Sequence, residues 1–446
     1  MTSIKCVKLF AYLLVCLGIV NGNGLGVVFE WKELDFAYPN SSARQAALES
    51  KSFIPSNNVP VGLEVWKNKL FITVPRWKPG VPASLSYVDL NQAGRTSPQL
   101  KPYPDWSTHD VNSVASRVID RRNITHIVSP FRIRADSCDR LWVLDTGKSD
   151  ILGSEEKIGP NQLLVYNLEN DELVRRYEIP KKFTKDESFF ANIAVDVRNK
   201  DCEDTFAYMA DLGASSMVVY SLKKNESWRV THKYFYNDPK AGKYHVAGVS
   251  FEWTDGLFGL ALSAEDSEDR YRTMYFHPFS SFSEFAVSTR ILQNQTLWTD
   301  PALAGASDKN FMLLGERENN TQSCASFFDE KTGILLYTQV TRNAIGCWNS
   351  GQKYTPMTQG QVAANNVTMV FPNDIKVDSQ RNVWVLTDRM PLFMFKGLDR
   401  SDVNFRVLSA PIDRAVADTV CMRSSAVVLS PLGFIFVISV IHRQFA

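Results

Sequence analysis

The sequence predicts an all-β protein, a six-bladed β-propeller with a central channel, and three observations predict it. A hairpin signature recurs six times along the chain. The intervals between copies each have room for one four-stranded sheet. No stretch carries a sustained helical period, and no linker rich in Gly, Ser or Pro divides the chain.

The signature is plainest in three stretches. Ser129 to Gly147 reads SPFRIRADSCDRLWVLDTG, Phe189 to Gly213 reads FFANIAVDVRNKDCEDTFAYMADLG, and Phe371 to Arg389 reads FPNDIKVDSQRNVWVLTDR. In each, an alternating apolar strand ends in Asp (Asp136, Asp196, Asp378) before a polar turn. A second apolar strand then ends in another Asp (Asp145, Asp211, Asp388). Period-two alternation across a short turn is the mark of a β-hairpin. Fainter copies begin at Gly62 (GLEVWKNKLFITVPRW), Gly248 (GVSFEWTDGLFGLALS) and Ala325 (ASFFDEKTGILLYTQV). The matching positions Gly62, Arg132, Asn192, Gly248, Ala325 and Asp374 lie 70, 60, 56, 77 and 49 residues apart. Six such units close a ring, and the first strand of each hairpin is expected to be the innermost of its blade.

The ends of the chain read differently. Residues 1–22 place Lys5 and Lys8 before an apolar run from Leu9 to Val20 and small residues at Asn21 and Gly22, the layout of a cleaved secretory signal. The propeller is expected over residues 23–422. Residues 423–446 form an apolar tail whose run from Ala426 to Ile441 is 16 residues long and interrupted by Pro431. That is short of the roughly 20 a spanning helix needs. Small residues Ser424, Ser425 and Ala426 suit a lipid-anchor site, but the polar spacer is missing. A secreted, extracellular protein is expected, with contact to a membrane only through this tail.

Export has two further signs. Sequons stand at Asn40, Asn123, Asn225, Asn294, Asn319 and Asn366. Once Cys6 and Cys16 leave with the signal, Cys138, Cys202, Cys324, Cys347 and Cys421 remain for an oxidising compartment. The pairing expected is Cys138–Cys202 and Cys347–Cys421, with Cys324 left over; other connectivities stay open on sequence alone. No C-x-x-C spacing occurs and the six His are scattered, so no metal site and no cofactor is expected. Lys and Arg number 49 against 48 Asp and Glu, a net charge of +1 without a basic stripe, which argues against nucleic acid as a partner. The sequence sets no oligomeric state.

A propeller channel opens where innermost strands begin and second strands end. The starts would bring Gly62, Arg132, Asn192, Gly248, Ala325 and Asp374 there, and the ends Arg76, Trp77, Asp145, Asp211, Asp388 and Arg389. The ligand-binding candidates are Asn373, Asp374, Asn192, Arg132, Asp388, Arg389, Phe371 and, on the preceding loop, Thr358. A carboxylate pairs with an ammonium, an aromatic ring accepts a flat ligand or a cation, and an Asn amide takes a phenol or catechol hydroxyl. Such a set suits a small aromatic amine or catechol. Pro372 pins an extended backbone that presents Asn373 and Asp374 together. Asp145 and Asp211 read equally well as turn residues. Asp136, Asp196 and Asp378 belong to the repeat itself, and Trp142 and Trp384 to the core between blades. His245 and His277 are isolated. If a proton is moved at the site, Asp374 is the candidate base and Arg132 the candidate holder of a substrate carboxylate. No G-x-S-x-G, H-E-x-x-H or Gly-rich phosphate loop occurs.

Specific motifs carry a resemblance. FEWKELDFAYPN, VPRWKPGVPASLSYVDLN, LWVLDTG, SWRVTHKYFYNDP, FEWTDGLFGLALS, YFHPFSS, AIGCWNS, FPNDIKVD and WVLTDRMP run in order from Phe29 to Cys421. In these the chain resembles the insect yellow / major royal jelly protein family. The resemblance implies a secreted six-bladed propeller, with functions ranging over cuticle pigmentation and melanin chemistry, food proteins, amine binding and dopachrome conversion. Three roles stay open: an amine or catechol binder, a dopachrome-converting isomerase, and a non-catalytic structural or developmental protein.

Overall fold

The computed structural model describes residues 24–91, 94–111 and 125–422. The signal segment with Cys6 and Cys16, the Asn123 sequon and the apolar tail lie outside the described residues. Six four-stranded antiparallel sheets form the six-bladed propeller that the repeat predicts. Their innermost strands are Gly62–Trp66, Pro130–Ala135, Phe190–Val197, Leu257–Leu262, Ser326–Asp329 and Pro372–Val377, for blades 1 to 6. Each packs against the innermost strands of its two neighbours, and blade 6 returns to blade 1.

Burial follows the radius. The first two strands of blade 3 are almost wholly buried, because both faces are covered by adjoining blades. On the rim of blade 2, Leu173–Glu178 runs through exposed and half-buried residues, along an edge that no further strand among the described residues pairs. Closure comes from the N-terminal side. Gly26–Trp31 pairs with Phe405–Pro411 as the outermost strand of blade 6, so the start of the described chain completes its last sheet.

The disulfides are Cys138–Cys202 and Cys347–Cys421, and Cys324 is free and buried. The first ties the hairpin turns of blades 2 and 3. The second fastens the segment after blade 6 to the third strand of blade 5, Ala344–Asn349.

One repeat unit is framed differently from expectation. Gly248 does not start the innermost strand of blade 4. Ala247 and Gly248 both have positive φ, at 51° and 73°, and make the two-residue turn of a separate ribbon. That ribbon pairs Lys243–Val246 with Val249–Glu252. The innermost strand is the next apolar run, Leu257–Leu262, and Gly259 takes the position expected of Gly248.

Candidate functional site

Four innermost strands open with a register irregularity. It lies between Pro130 and Ile133, Phe190 and Asn192, Leu257 and Gly259, and Pro372 and Asp374. A bulge adds a residue to one strand and re-aims the side chains around it. Here it delivers Arg132, Phe258 and Asn373 to the axis, where the Arg132 guanidinium lies 5.1 Å from the Phe258 ring centroid.

Arg132 plugs the channel. It donates to Asn373 O at 2.5 Å, Asn373 Oδ1 at 2.7 Å and the Val61 carbonyl, and its Nε faces Asp374 Oδ1 at 3.5 Å. Asp374 accepts from Leu63 N at 2.9 Å, Ile375 N at 2.9 Å and Lys376 Nζ at 2.7 Å. Burial pulls the Lys376 ammonium down while Asp374 opposes it. Arg132 is 1% exposed and Asp374 0%, so this is a buried ion pair, in which the Arg132 Nε–H has the facing carboxylate but no hydrogen bond of its own. Cys324 Sγ lies 3.1 Å from Asn373 O, and burial pushes its thiol up to about 12, leaving it un-ionised at neutral pH. Asn192 is drawn in too, donating to Phe258 O at 2.6 Å. The structure thus brings Arg132, Asn373, Asp374 and Asn192 together around the axis.

The strand-end carboxylates part company. Asp145 accepts from Val128 N, Ser129 N, Gly147 N and Gln162 Nε2. Asp211 accepts from Ser188 Oγ, Phe189 N, Ala214 N and Arg229. Among the described residues, Asp388 accepts only from Met390 N at 3.0 Å and from the Asn373 amide. Burial pushes it up to about 7.

Other candidates sit elsewhere. Arg389 has φ 49°, and its guanidinium turns to Asp402 and Asn404. Thr358 closes a capping box with Thr355 in a loop of blade 5. Arg76 is engaged with the carbonyls of Val128 and His109. A Cβ on Gly62 would meet Phe131 O at 2.2 Å, so this glycine makes room for the next blade rather than for a ligand. Among the described residues, no group of three His, Cys, Asp or Glu is placed to hold a metal ion.

Above the plug lies an aromatic mouth. Phe371 meets Trp253 edge-on at 6.2 Å, and Trp253 packs on Phe251 at 4.5 Å, Tyr244 at 5.4 Å and Phe279 at 5.5 Å. The ribbon's Phe251 stacks on Phe395 of the helix Met390–Phe395, and Lys396 Nζ donates to Gly248 O at 2.9 Å. The Ser280 hydroxyl joins Tyr244 Oη to Trp253 O, both at 2.9 Å, and Ser280 N donates to the backbone of Asp255.

Asp255, just before the innermost strand of blade 4, is a residue that sequence reasoning passed over. Its carboxylate takes no hydrogen bond or ion pair from the described residues, although it is only partly open to solvent. Burial alone pushes it up to about 6. In the sequence it stands in Thr-Asp-Gly, where turn chemistry accounts for an Asp without any ligand.

The major royal jelly protein family model matches residues 128–421. Protein yellow of Drosophila melanogaster and that of Drosophila yakuba are each 42% identical over 401 residues, covering 89% of this chain and 71% of theirs. Protein yellow of Drosophila subobscura is 41% identical and 67% covered. Among solved structures, virginiamycin B lyase from Staphylococcus aureus aligns over 79% of this chain and 95% of its own. That alignment has a TM-score of 0.40 and 10% identity. A streptogramin B lyase aligns over 86% and 98%, with a TM-score of 0.38 and 10% identity.

Proposed function

The chain belongs to the major royal jelly protein family, the family of the yellow proteins, and from that premise we propose that it is an exported protein of insect pigmentation that holds a small aromatic amine or catechol at the mouth of its propeller channel. Asp255 carries this reading. A carboxylate that burial penalises and no cation compensates gains most from a ligand ammonium. Half-buried Trp253, two residues before Asp255, supplies an aromatic surface for a ring, with buried Tyr244 and Phe279 packed against it. Below them the Arg132–Asp374 column is closed by its own bonds, which confines a ligand to the mouth. Export is supported by the leader layout, two disulfides and the exposure of Asn40, Asn225, Asn294, Asn319 and Asn366, all five sequon asparagines among the described residues. No helix among the described residues is long and apolar enough to cross a membrane.

Titrating dopamine and serotonin against tryptophan fluorescence tests the reading. Binding is expected to strengthen as pH rises through about 6, where Asp255 loses its proton. Asp255→Asn is expected to weaken it by about 1.5–3 kcal/mol, the worth of a charged hydrogen bond. Unchanged affinity in that variant would remove Asp255 from the site.

A dopachrome-converting isomerase is the second reading, favoured by Asp388, whose carboxyl near 7 suits proton transfer at neutral pH. Loss of dopachrome colour with one defined indole product, abolished in Asp388→Asn, would establish it. With neither binding nor turnover, the closed column would support a structural role in the extracellular matrix.

A further inference from the structure

We propose that the chain carries a second ligand site, a cleft in its outer wall between blades 4 and 5, shaped for a small planar aromatic carboxylate. The cleft has a volume of about 410 Å³. That falls within the several hundred Å³ of ordinary small-molecule sites. It is remote from the channel mouth and does not depend on what binds there.

The cleft is preorganised by its own sequence. Its floor is three rings. Trp348 meets Tyr275 edge-on at 5.8 Å and Tyr354 at 5.0 Å, and Tyr275 stacks on Phe328 at 5.4 Å. Two of the rings are anchored by hydrogen bonds: Trp348 Nε1 donates to Lys353 O at 3.3 Å, and Arg317 donates to Tyr354 Oη at 3.3 Å. Rings fixed in this way lose little freedom when a ligand settles on them. The wall comes from the outermost strand of blade 4, Met312–Glu316, which shifts register against its neighbour at Leu314. Gly315 lets the blade 5 loop close in, since a Cβ there would meet Tyr354 O at 2.2 Å. Met312, 53% exposed, stands at the rim.

Charge chooses the ligand. The lining holds one ionisable cation, Lys353, and no carboxylate. Lys353 is exposed, and its ammonium has no partner among the described residues. The polar groups beside it, Ser350, Gln352 and Thr355, suit a phenol or a carboxylate oxygen. An apolar aromatic floor under a single free cation selects a ring bearing an acid and disfavours a ring bearing an amine, the reverse of the preference expected of Asp255.

The probe is 4-hydroxyphenylacetate, titrated calorimetrically into the full secreted chain, with its uncharged amide as control. Saturable one-to-one binding of the acid is expected, weakened at least tenfold by Lys353→Glu, with the amide unaffected by that substitution. Asp255→Asn is expected to leave the acid's affinity unchanged. Ala286→Phe, which narrows the cleft from blade 4, is expected to weaken acid and amide together. Acid binding that survives Lys353→Glu, or no saturable heat at millimolar acid, would overturn the proposal. So would binding seen only in a chain ending at Met422, which would assign the cleft to the apolar tail instead.

Discussion

At the hairpin turn of blade 2, Asp136 accepts the indole N–H of Trp142 at 2.7 Å, and in blade 6 Asp378 accepts that of Trp384 at 2.8 Å. At the other end of the same two hairpins the likeness stops. Asp145 is held by three backbone N–H groups and Gln162, whereas Asp388 has one backbone donor and the Asn373 amide. Blade 3 sides with blade 2, because Asp211 is held by four residues. The turn end is therefore architecture, copied from blade to blade. The mouth end is where the blades acquire individual chemistry, and a carboxyl pushed up to about 7 in blade 6 is the measure of it.

The largest effect that can break this comparison is Asp145→Ala. It strands buried donors at Val128, Ser129 and Gly147, at about 1–3 kcal/mol each before relaxation, so a loss of about 3–5 kcal/mol in denaturant unfolding is expected. Asp388→Ala is expected to cost less than half of that. Equal losses would mean that the two carboxylates do the same structural work.

The turn end gives a smaller and symmetrical effect. Trp142→Phe and Trp384→Phe each keep a ring in the core and remove one indole donor to a carboxylate, at about 1–2 kcal/mol. The two costs are expected to agree within about 0.5 kcal/mol, as far as separate sites are additive. A clear difference would show that the repeat is one of sequence more than of energy.

The same contrast explains what could be read in the sequence. Turn-end residues were legible because their type recurs with the strand period: Asp136, Asp378, Trp142 and Trp384 sit where the repeat places them. The meeting of Arg132 with Asp374 followed from strand starts sharing one rim. Blade 4 was misframed because GVSFEW alternates as a strand does, and alternation does not say which sheet a strand joins; two positive φ values at Ala247 and Gly248 send it into a local ribbon. Arg389 was grouped with Asp388 by adjacency, yet its left-handed backbone turns the guanidinium to Asp402. Asp255 was hidden by the ordinariness of an Asp before a Gly. Its lack of a donor is a property of the packed surroundings, which no local pattern encodes.

Asp388→Asn gives the smallest stability change at neutral pH, about 1 kcal/mol or less, and sharpens the comparison through pH. Its folded pKa of about 7 lies above the unfolded value of about 3.9. Between those values the native state keeps a proton that the unfolded chain releases, so the group's contribution to stability is full at low pH and falls as pH rises through the window. Asp255, pushed up to about 6, adds to the same downward slope over its lower part. Asp388→Asn removes the proton exchange without adding a charge, and stability measured from pH 4 to pH 8 is expected to fall less steeply than in the parent chain. If Asp388→Asn leaves the slope as steep as in the parent chain, the case for Asp388 in proton transfer goes with it.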